Sequence, residues 1–256
     1  MKQKKTYFIS DVHLGSPNFE ESLKREKLLV RWMKDKTEDA EAFYLLGDVF
    51  DFWFEYKRIV PRGFTRFLGA LSEITDSGIP VYFFTGNHDI WVFDYLSQET
   101  GVIVIEKPIQ KVIQGRQFYL AHGDGLGPYD KKYNFLKSIF TNRFLQWCFK
   151  RIHPNFSIAF ALRWSKYSRG QHDLPEIPDY EKEWLIKHAR NVMNTNESID
   201  YFVFGHRHIP IHYFLNKTTE FINLGDWLIN FTYGSFDGEN FELYSYPDEI
   251  KIKAAR

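Results

Sequence analysis

The sequence predicts an α/β fold of two stacked sheets, and three observations carry that expectation. Apolar runs of strand length alternate with amphipathic helices up to Phe84, which implies right-handed crossovers and a largely parallel sheet. Shorter strands separated by turn residues follow Gly101, as suits a second, mostly antiparallel sheet packed face to face on the first. Five of the strands run out into a polar cluster, the place where open sheets bind ligands.

Each element has its own reason. Tyr7 to Ile9 is a β-prone run that ends at Ser10-Asp11. Glu20 to Lys36 brings Leu23, Leu28, Leu29, Trp32 and Met33 near one helical face. Phe43 to Leu46 and Val81 to Phe84 are buried-type strands, and the helix between them, Gly63 to Asp76, is stopped by Gly78 and Pro80. Val102 to Ile105, Ile109 to Ile113 and Phe118 to Ala121 are shorter strands, the last two joined by Gln114-Gly115-Arg116. Tyr201 to Phe204 comes much later. Ile211 to Leu215, Glu220 to Leu224, Phe231 to Tyr233 and Phe241 to Tyr246 then read as hairpins, with Asn216-Lys217 and Asp237-Gly238 as turns.

The stretch between interrupts this pattern. Tyr129 to Lys150 and Phe156 to Lys166 read as helices rich in Phe, Leu, Ile, Trp, Lys and Arg. We expect one domain over residues 1–256, with residues 125–179 inserted as a helical cap. The apolar side chains Phe135, Leu136, Ile139, Phe140, Phe144, Leu145, Trp147 and Phe149 are either core or contacts for an acyl chain.

Composition narrows the function. Lys and Arg total 33 against 33 Asp and Glu, which argues against a broad basic face for nucleic acid. A single cysteine, Cys148, excludes an internal disulfide framework and a Cys-rich metal site. No apolar stretch reaches the roughly 18 residues that a membrane span needs, and Tyr7 to Ser10 is too short for a signal sequence. The expected location is cytoplasmic, with no obligate protein partner called for.

The five clusters are Asp11-Val12-His13, Gly47-Asp48, Gly86-Asn87-His88-Asp89, His122-Gly123-Asp124 and Gly205-His206-Arg207-His208. Taken singly, each is ordinary turn chemistry. Five at successive strand exits are not independent turns. Seven side chains in them can ligate a cation: Asp11, His13, Asp48, Asn87, His122, His206 and His208. Imidazole, carboxylate and amide oxygen without thiolate suit Mn, Fe, Zn or Ni. In extended chain, Asp11 with His13 and His206 with His208 would each project to one side. Seven ligands exceed what one ion takes and fit a pair about 3.5–4 Å apart, with a water-derived hydroxide as nucleophile. Two divalent ions against Asp11 and Asp48 leave about two positive charges, which would attract a phosphate.

This series, from Asp11 to His208, resembles the calcineurin-like metallophosphoesterase superfamily. The resemblance implies a four-layer α/β-β/α sandwich of two mixed sheets with an inserted helical cap and a dinuclear centre, manganese being the preferred metal. Asp11, His13, Asp48 and His208 would hold one ion, with Asp48 bridging, and Asn87, His122 and His206 the other. His88 would protonate the leaving group or bind the phosphate, with Asp89 orienting it. Ser10-Asp11-Val12-His13-Leu14, Gly47-Asp48-Val49-Phe50-Asp51-Phe52-Trp53 and His122-Gly123-Asp124 before an apolar cap are similar to the UDP-2,3-diacylglucosamine diphosphatase family of lipid A synthesis. That likeness implies cleavage of a lipid-linked UDP-sugar to UMP, with peripheral contact at the inner face of the inner membrane. Asn87, His88, Asp124, Lys166 and Arg169 are the expected substrate contacts. One departure leaves another phosphodiester or phosphomonoester open as substrate: this chain has His88 where the best-known members have Arg.

Overall fold

Asn18 starts the first helix by accepting the Glu21 N–H on its side-chain oxygen at 3.0 Å, and from there the N-terminal alternation folds as the spacing predicts. The computed structural model describes residues 3–127, 131–169, 179–195 and 198–255. Its first half runs β1 (Lys5–Ile9), α1 (Phe19–Thr37), β2 (Ala40–Leu46), α2 (Thr65–Asp76), β3 (Val81–Phe84), α3 (Tyr95–Thr100), β4 (Ile103–Ile105), β5 (Ile109–Ile113) and β6 (Arg116–Ala121). Then come α4 (Lys131–Thr141), α5 (Arg143–Phe149), α6 (Pro154–Arg169) and α7 (Trp184–Met193). The chain closes with β7 (Tyr201–Phe204), β8 (Pro210–Phe214), β9 (Glu220–Leu224), β10 (Thr232–Phe236), β11 (Phe241–Ser245) and β12 (Ile250–Ile252).

The strands form two mixed sheets, ordered β12-β11-β10-β1-β2-β3-β4 and β5-β6-β7-β9-β8. The second is not mostly antiparallel as expected. Its inner pairs β6–β7 and β7–β9 are parallel, and only the outer pairs are antiparallel. The C-terminal hairpins divide instead, because β10 pairs antiparallel with β1 and carries β11 and β12 onto the first sheet. All five residues of β10 are buried, as a strand paired on both sides and covered on both faces requires.

Period-two alternation sorts the side chains into layers. Tyr7 and Ile9 of β1 face α1 and α2, meeting Leu29, Trp32, Phe67 and Leu71. Phe8 points the other way, into the space between the sheets, where its ring lies 5.8 Å from that of Phe118 on β6. The far face of the second sheet is closed by Leu185, Ile186 and Ala189 of α7 against Phe202, Phe204 and Phe221. The layers are therefore helix, sheet, sheet, helix. The high aromatic content is spent largely here: Trp32 alone has the rings of Tyr7, Phe43, Trp227 and Tyr233 within 6.0 Å.

Side-chain hydrogen bonds to the main chain shape the loop after β1 and divide the cap. Arg25 of α1, itself buried, donates to the carbonyls of His13 at 2.7 Å and Ser16 at 2.5 Å, tying that loop to the helix. The single helix expected over Tyr129 to Lys150 is instead α4 and α5. Asn142 breaks it by capping Phe144 and Leu145 N–H groups, and Tyr129 lies outside the described residues.

Candidate metal centre

The structure brings all seven sequence-named ligands together at the C-terminal ends of β1, β2, β3, β6 and β7. Ligating atoms of Asp11, His13 and His208 lie within 4.8 Å of one another, and so do those of Asp48, His122 and His206. Asp48 lies between the two groups, its Oδ2 being 3.7 Å from His13 Nε2 and 3.4 Å from His122 Nε2. Asn87 joins the second group, with Oδ1 3.0 Å from His206 Nδ1 and 3.2 Å from His122 Nε2.

The backbone that achieves this is not extended. Asp11, His13, Asp48, His206 and His208 all have positive φ, between 46° and 69°, a region that costs a non-glycine residue on the order of 1–3 kcal/mol. Asp11 and His13 do share a group, though not by the extended-chain geometry expected of them, while His206 and His208 fall in different groups of the one centre. Left-handed turns send those two imidazoles to different groups.

Close approach of the loops depends on glycine. A Cβ at Gly86 would sit 2.2 Å from Asp48 Oδ1 and 2.6 Å from its main-chain nitrogen, and one at Gly205 would sit 2.6 Å from Asp11 Oδ2. We expect Gly86→Ala to cost about 3 kcal/mol, the upper range for overpacking a dense site. Thermal melts would read that loss, and an unshifted midpoint would contradict so close an approach.

Hydrogen bonds fix which ring nitrogen faces inward. His122 Nδ1–H donates to the Leu46 carbonyl at 2.7 Å, so Nε2 is its ligating atom. Asp226, anchored by the N–H groups of Leu228, Ile229 and Asn230, stands 3.5 Å from His208 Nδ1. Nε2 of His208 is thereby turned to Asp11 Oδ1 at 3.4 Å. Burial opposes charge on both Asp48 and His122, but the histidines around Asp48 hold it well below the usual carboxylate range, and the Asp48, Asp11 and Asp124 charges hold His122 well above the usual imidazole one. Burial, helped by the His122 charge, pushes His206 down to about 3.

These residues fit a divalent cation. Asp11 Oδ1 is buried with no hydrogen-bond partner among the described residues, an expensive state unless something positive sits beside it. The donors around it are imidazole nitrogen and carboxylate oxygen, the set expected for a first-row divalent ion. Cys148, on α5, belongs to neither group.

The remaining expectations divide. His88 stands beside the centre: its N–H donates to Asp48 Oδ1 at 2.8 Å and its ring lies 4.8 Å from that of His13. Asp89 does not orient it. Both Asp89 oxygens accept main-chain N–H groups, of Val49, Phe50 and Gly86, so this fully buried carboxylate holds the two loops together. The partner of His88 is Asp51, whose carbonyl is 3.0 Å and whose Oδ1 is 3.9 Å from His88 Nδ1, and which also lies 3.6 Å from His13 Nδ1. Asp124 is likewise taken up structurally, bonded to Lys137 Nζ at 2.6 Å and to the Tyr133 hydroxyl. It pins α4 to the centre. The side chains of Lys166 and Arg169 lie outside those described.

A cavity of about 480 Å³ opens beside Asn87 and His88. Its walls are Phe52 and Trp91 from the sheet domain and Leu136, Ile139, Phe140, Leu145 and Phe149 from α4 and α5. Other apolar residues of these helices, Phe135, Phe144 and Trp147, face out and are more than half exposed. The residues expected to be core or acyl contact thus separate into a cavity wall and an exposed face.

A family model described as calcineurin-like phosphoesterase matches residues 4–210. The chain is similar to a UDP-2,3-diacylglucosamine hydrolase of Porphyromonas gingivalis, at 36% identity covering 95% of this chain and 98% of that one. It is also similar to a protein of that name from Vibrio vulnificus, at 32% identity over 87% of this chain and 89% of the relative. Among solved structures, a phosphoesterase from E. coli aligns over 97% of both chains with a TM-score of 0.46 and 16% identity.

Proposed function

Because this chain belongs to the calcineurin-like phosphoesterase family and is a metal-dependent phosphoester hydrolase, we propose that it cleaves the pyrophosphate of UDP-2,3-diacylglucosamine, giving 2,3-diacylglucosamine 1-phosphate and UMP. The observation that carries the substrate is the apolar cavity. It opens directly onto His88 and Asn87, so a molecule with a phosphate at the centre would run its acyl part between Phe52, Trp91 and the cap helices. A cavity of this size lies within the range for specific ligands, and the names of the relatives point the same way.

In this reading Asp11, His13, Asp48 and His208 would hold one divalent ion and Asn87, His122 and His206 the second, with Asp48 placed to serve both groups and manganese as the metal. What two such cations supply is positive charge for a diphosphate and a water acidic enough to act near neutral pH. The side chains do the rest. With Nδ1 committed to the Asp51 carbonyl, His88 would use Nε2 to hand a proton to the departing oxygen. Asp226 and the Leu46 carbonyl hold His208 and His122 in the ligating tautomer. No helix among the described residues is long and apolar enough to cross a membrane. The exposed Phe135, Phe144 and Trp147 would let the cap rest on the bilayer that carries the substrate.

His88 favours one second reading, a phosphodiesterase or phosphomonoesterase of broader range, since imidazole supports general acid chemistry on small leaving groups. The manganese-loaded protein should release UMP from the diacylated UDP-sugar with a kcat/KM at least about 100-fold above that for nitrophenyl phosphates, a difference of roughly 2.7 kcal/mol. Turnover of the nitrophenyl esters with no UMP from the lipid would remove the substrate assignment and leave the second reading.

A further inference from the structure

Loops from both sheets flank the metal centre, and the two rims differ in character. The rim of the first sheet opens into the apolar cavity beside Asn87 and His88. None of the residues lining that cavity belongs to the second sheet or to α7. The other rim comes from the second sheet, where Gly205-His206-Arg207-His208 leaves the end of β7 and α7 begins at Trp184. The half-buried Trp184 ring stands 6.1 Å from that of His206, at an interplanar angle of 76°. An aromatic surface therefore adjoins the group formed by Asp48, His122 and His206.

Arg207 is held beside it. Its Nε donates to the two Glu183 carboxylate oxygens at 3.1 and 3.2 Å, and one Nη donates to Oε2 at 3.1 Å. Glu183 is buried, and its Oε1 also accepts the Leu185 N–H at the start of α7. The guanidinium is thus fixed at the helix start that carries Trp184. Pairing satisfies the buried carboxylate, while the arginine side chain stays 34% exposed. A flat ring and a pre-set fork of donors lie together at the edge of the centre.

We propose that this rim is a nucleoside subsite, with the uracil of the UDP group against Trp184 and Arg207 donating to its carbonyl oxygens. This rests on the UDP-linked substrate proposed above. A diphosphate with a lipid sugar at one end and a nucleoside at the other needs two unlike surfaces on either side of its phosphates. The apolar cavity suits the lipid, and uracil placed there would lose hydrogen bonds to water without replacing them. The second-sheet rim supplies what a base requires, an aromatic face to stack on and an arginine for its oxygens. Trp184 and Arg207 then govern affinity for the nucleotide and take no part in the chemistry.

UMP and ribose 5-phosphate, compared as inhibitors of nitrophenyl phosphate turnover by the manganese-loaded protein, separate the base from the phosphate. UMP should inhibit about tenfold more tightly, near the low end for one base stacked on an aromatic side chain. Trp184→Leu keeps an apolar side chain against the core beneath α7, and in it the preference should fall to about twofold or less. A purely structural role would move both inhibitors together and leave their ratio unchanged. Arg207 is left in place, because its removal would strand the buried Glu183 carboxylate. In the unmodified protein, 4-thiouridine 5-monophosphate should photo-crosslink within residues 180–184 or 206–208. Equal inhibition by UMP and ribose 5-phosphate, a preference that survives Trp184→Leu, or crosslinks confined to residues 87–91 and 133–149 would each overturn the inference while leaving the substrate standing. Absence of UMP release from the diacylated UDP-sugar by unmodified, nitrophenyl-phosphate-active protein would overturn both.

Discussion

Asp48→Ala is expected to lower turnover of every phosphoester substrate by about 10³-fold or more, the several kcal/mol that cation chemistry contributes to such a barrier. The expectation comes from where the side chain sits. One oxygen lies between His13 and His122, and the other accepts the His88 N–H. Losing it removes the charge shared by both ligand groups and frees the loop that carries His88. Asp48→Asn separates these effects. The amide oxygen still accepts from His88, so the fold should hold while charge at the centre falls. Elemental analysis after gel filtration should find less than half the bound divalent metal of the unmodified protein in either variant. Full metal content together with full activity in Asp48→Ala would mean that the centre lies elsewhere.

The second large effect is at position 88. His88→Ala should reduce kcat by about 10²–10³-fold, the range for loss of a positioned proton donor, with a smaller change in KM. His88→Arg is the more informative variant. Guanidinium keeps a positive charge for phosphate but cannot release a proton in the working range. Protonation matters most when the departing oxygen is basic, so turnover by His88→Arg should fall more steeply with leaving-group basicity than turnover by the unmodified protein. An unchanged dependence would assign the proton to another group. Asp51→Asn should steepen the dependence in the same sense by disturbing the ring's orientation, whereas Asp89→Asn should act through stability, since Asp89 touches only main-chain donors of the two loops in the described structure.

The contrast between Asp51 and Asp89 shows where the sequence stops being legible. Both carboxylates are within three residues of a motif position, and the family resemblance implied Asp89 as the partner of His88. The left-handed backbone at Asp48 decides otherwise, and no side-chain pattern announces such a turn. The clusters themselves were readable because apolar strands that end abruptly in ligating residues, one after another, have little use for those residues except to hold an ion. The parallel run β1–β2–β3 was readable because its crossovers join successive strands. The other pairings were not, since β10 meets β1 and β6 meets β7 across long intervals of chain, β7 skips β8 to pair with β9, and short buried strands carry no mark of their neighbours' direction. Helix α7 left a signal that could have been taken: Leu185, Ile186, Ala189, Val192 and Met193 recur at helical spacing. Asp226 carried none, because its importance lies wholly in standing behind His208.

Five candidate ligand positions with positive φ also have a bearing on how this protein can change. Each is a place where glycine would relax the main chain, by an amount comparable to many natural stabilising substitutions. A search for heat resistance guided by backbone preference alone would thus nominate Asp11, His13, Asp48, His206 and His208 among its first targets, and would trade away the reaction to gain robustness. Lineages that stop using the chemistry while retaining the scaffold should lose these side chains early, since drift there runs downhill.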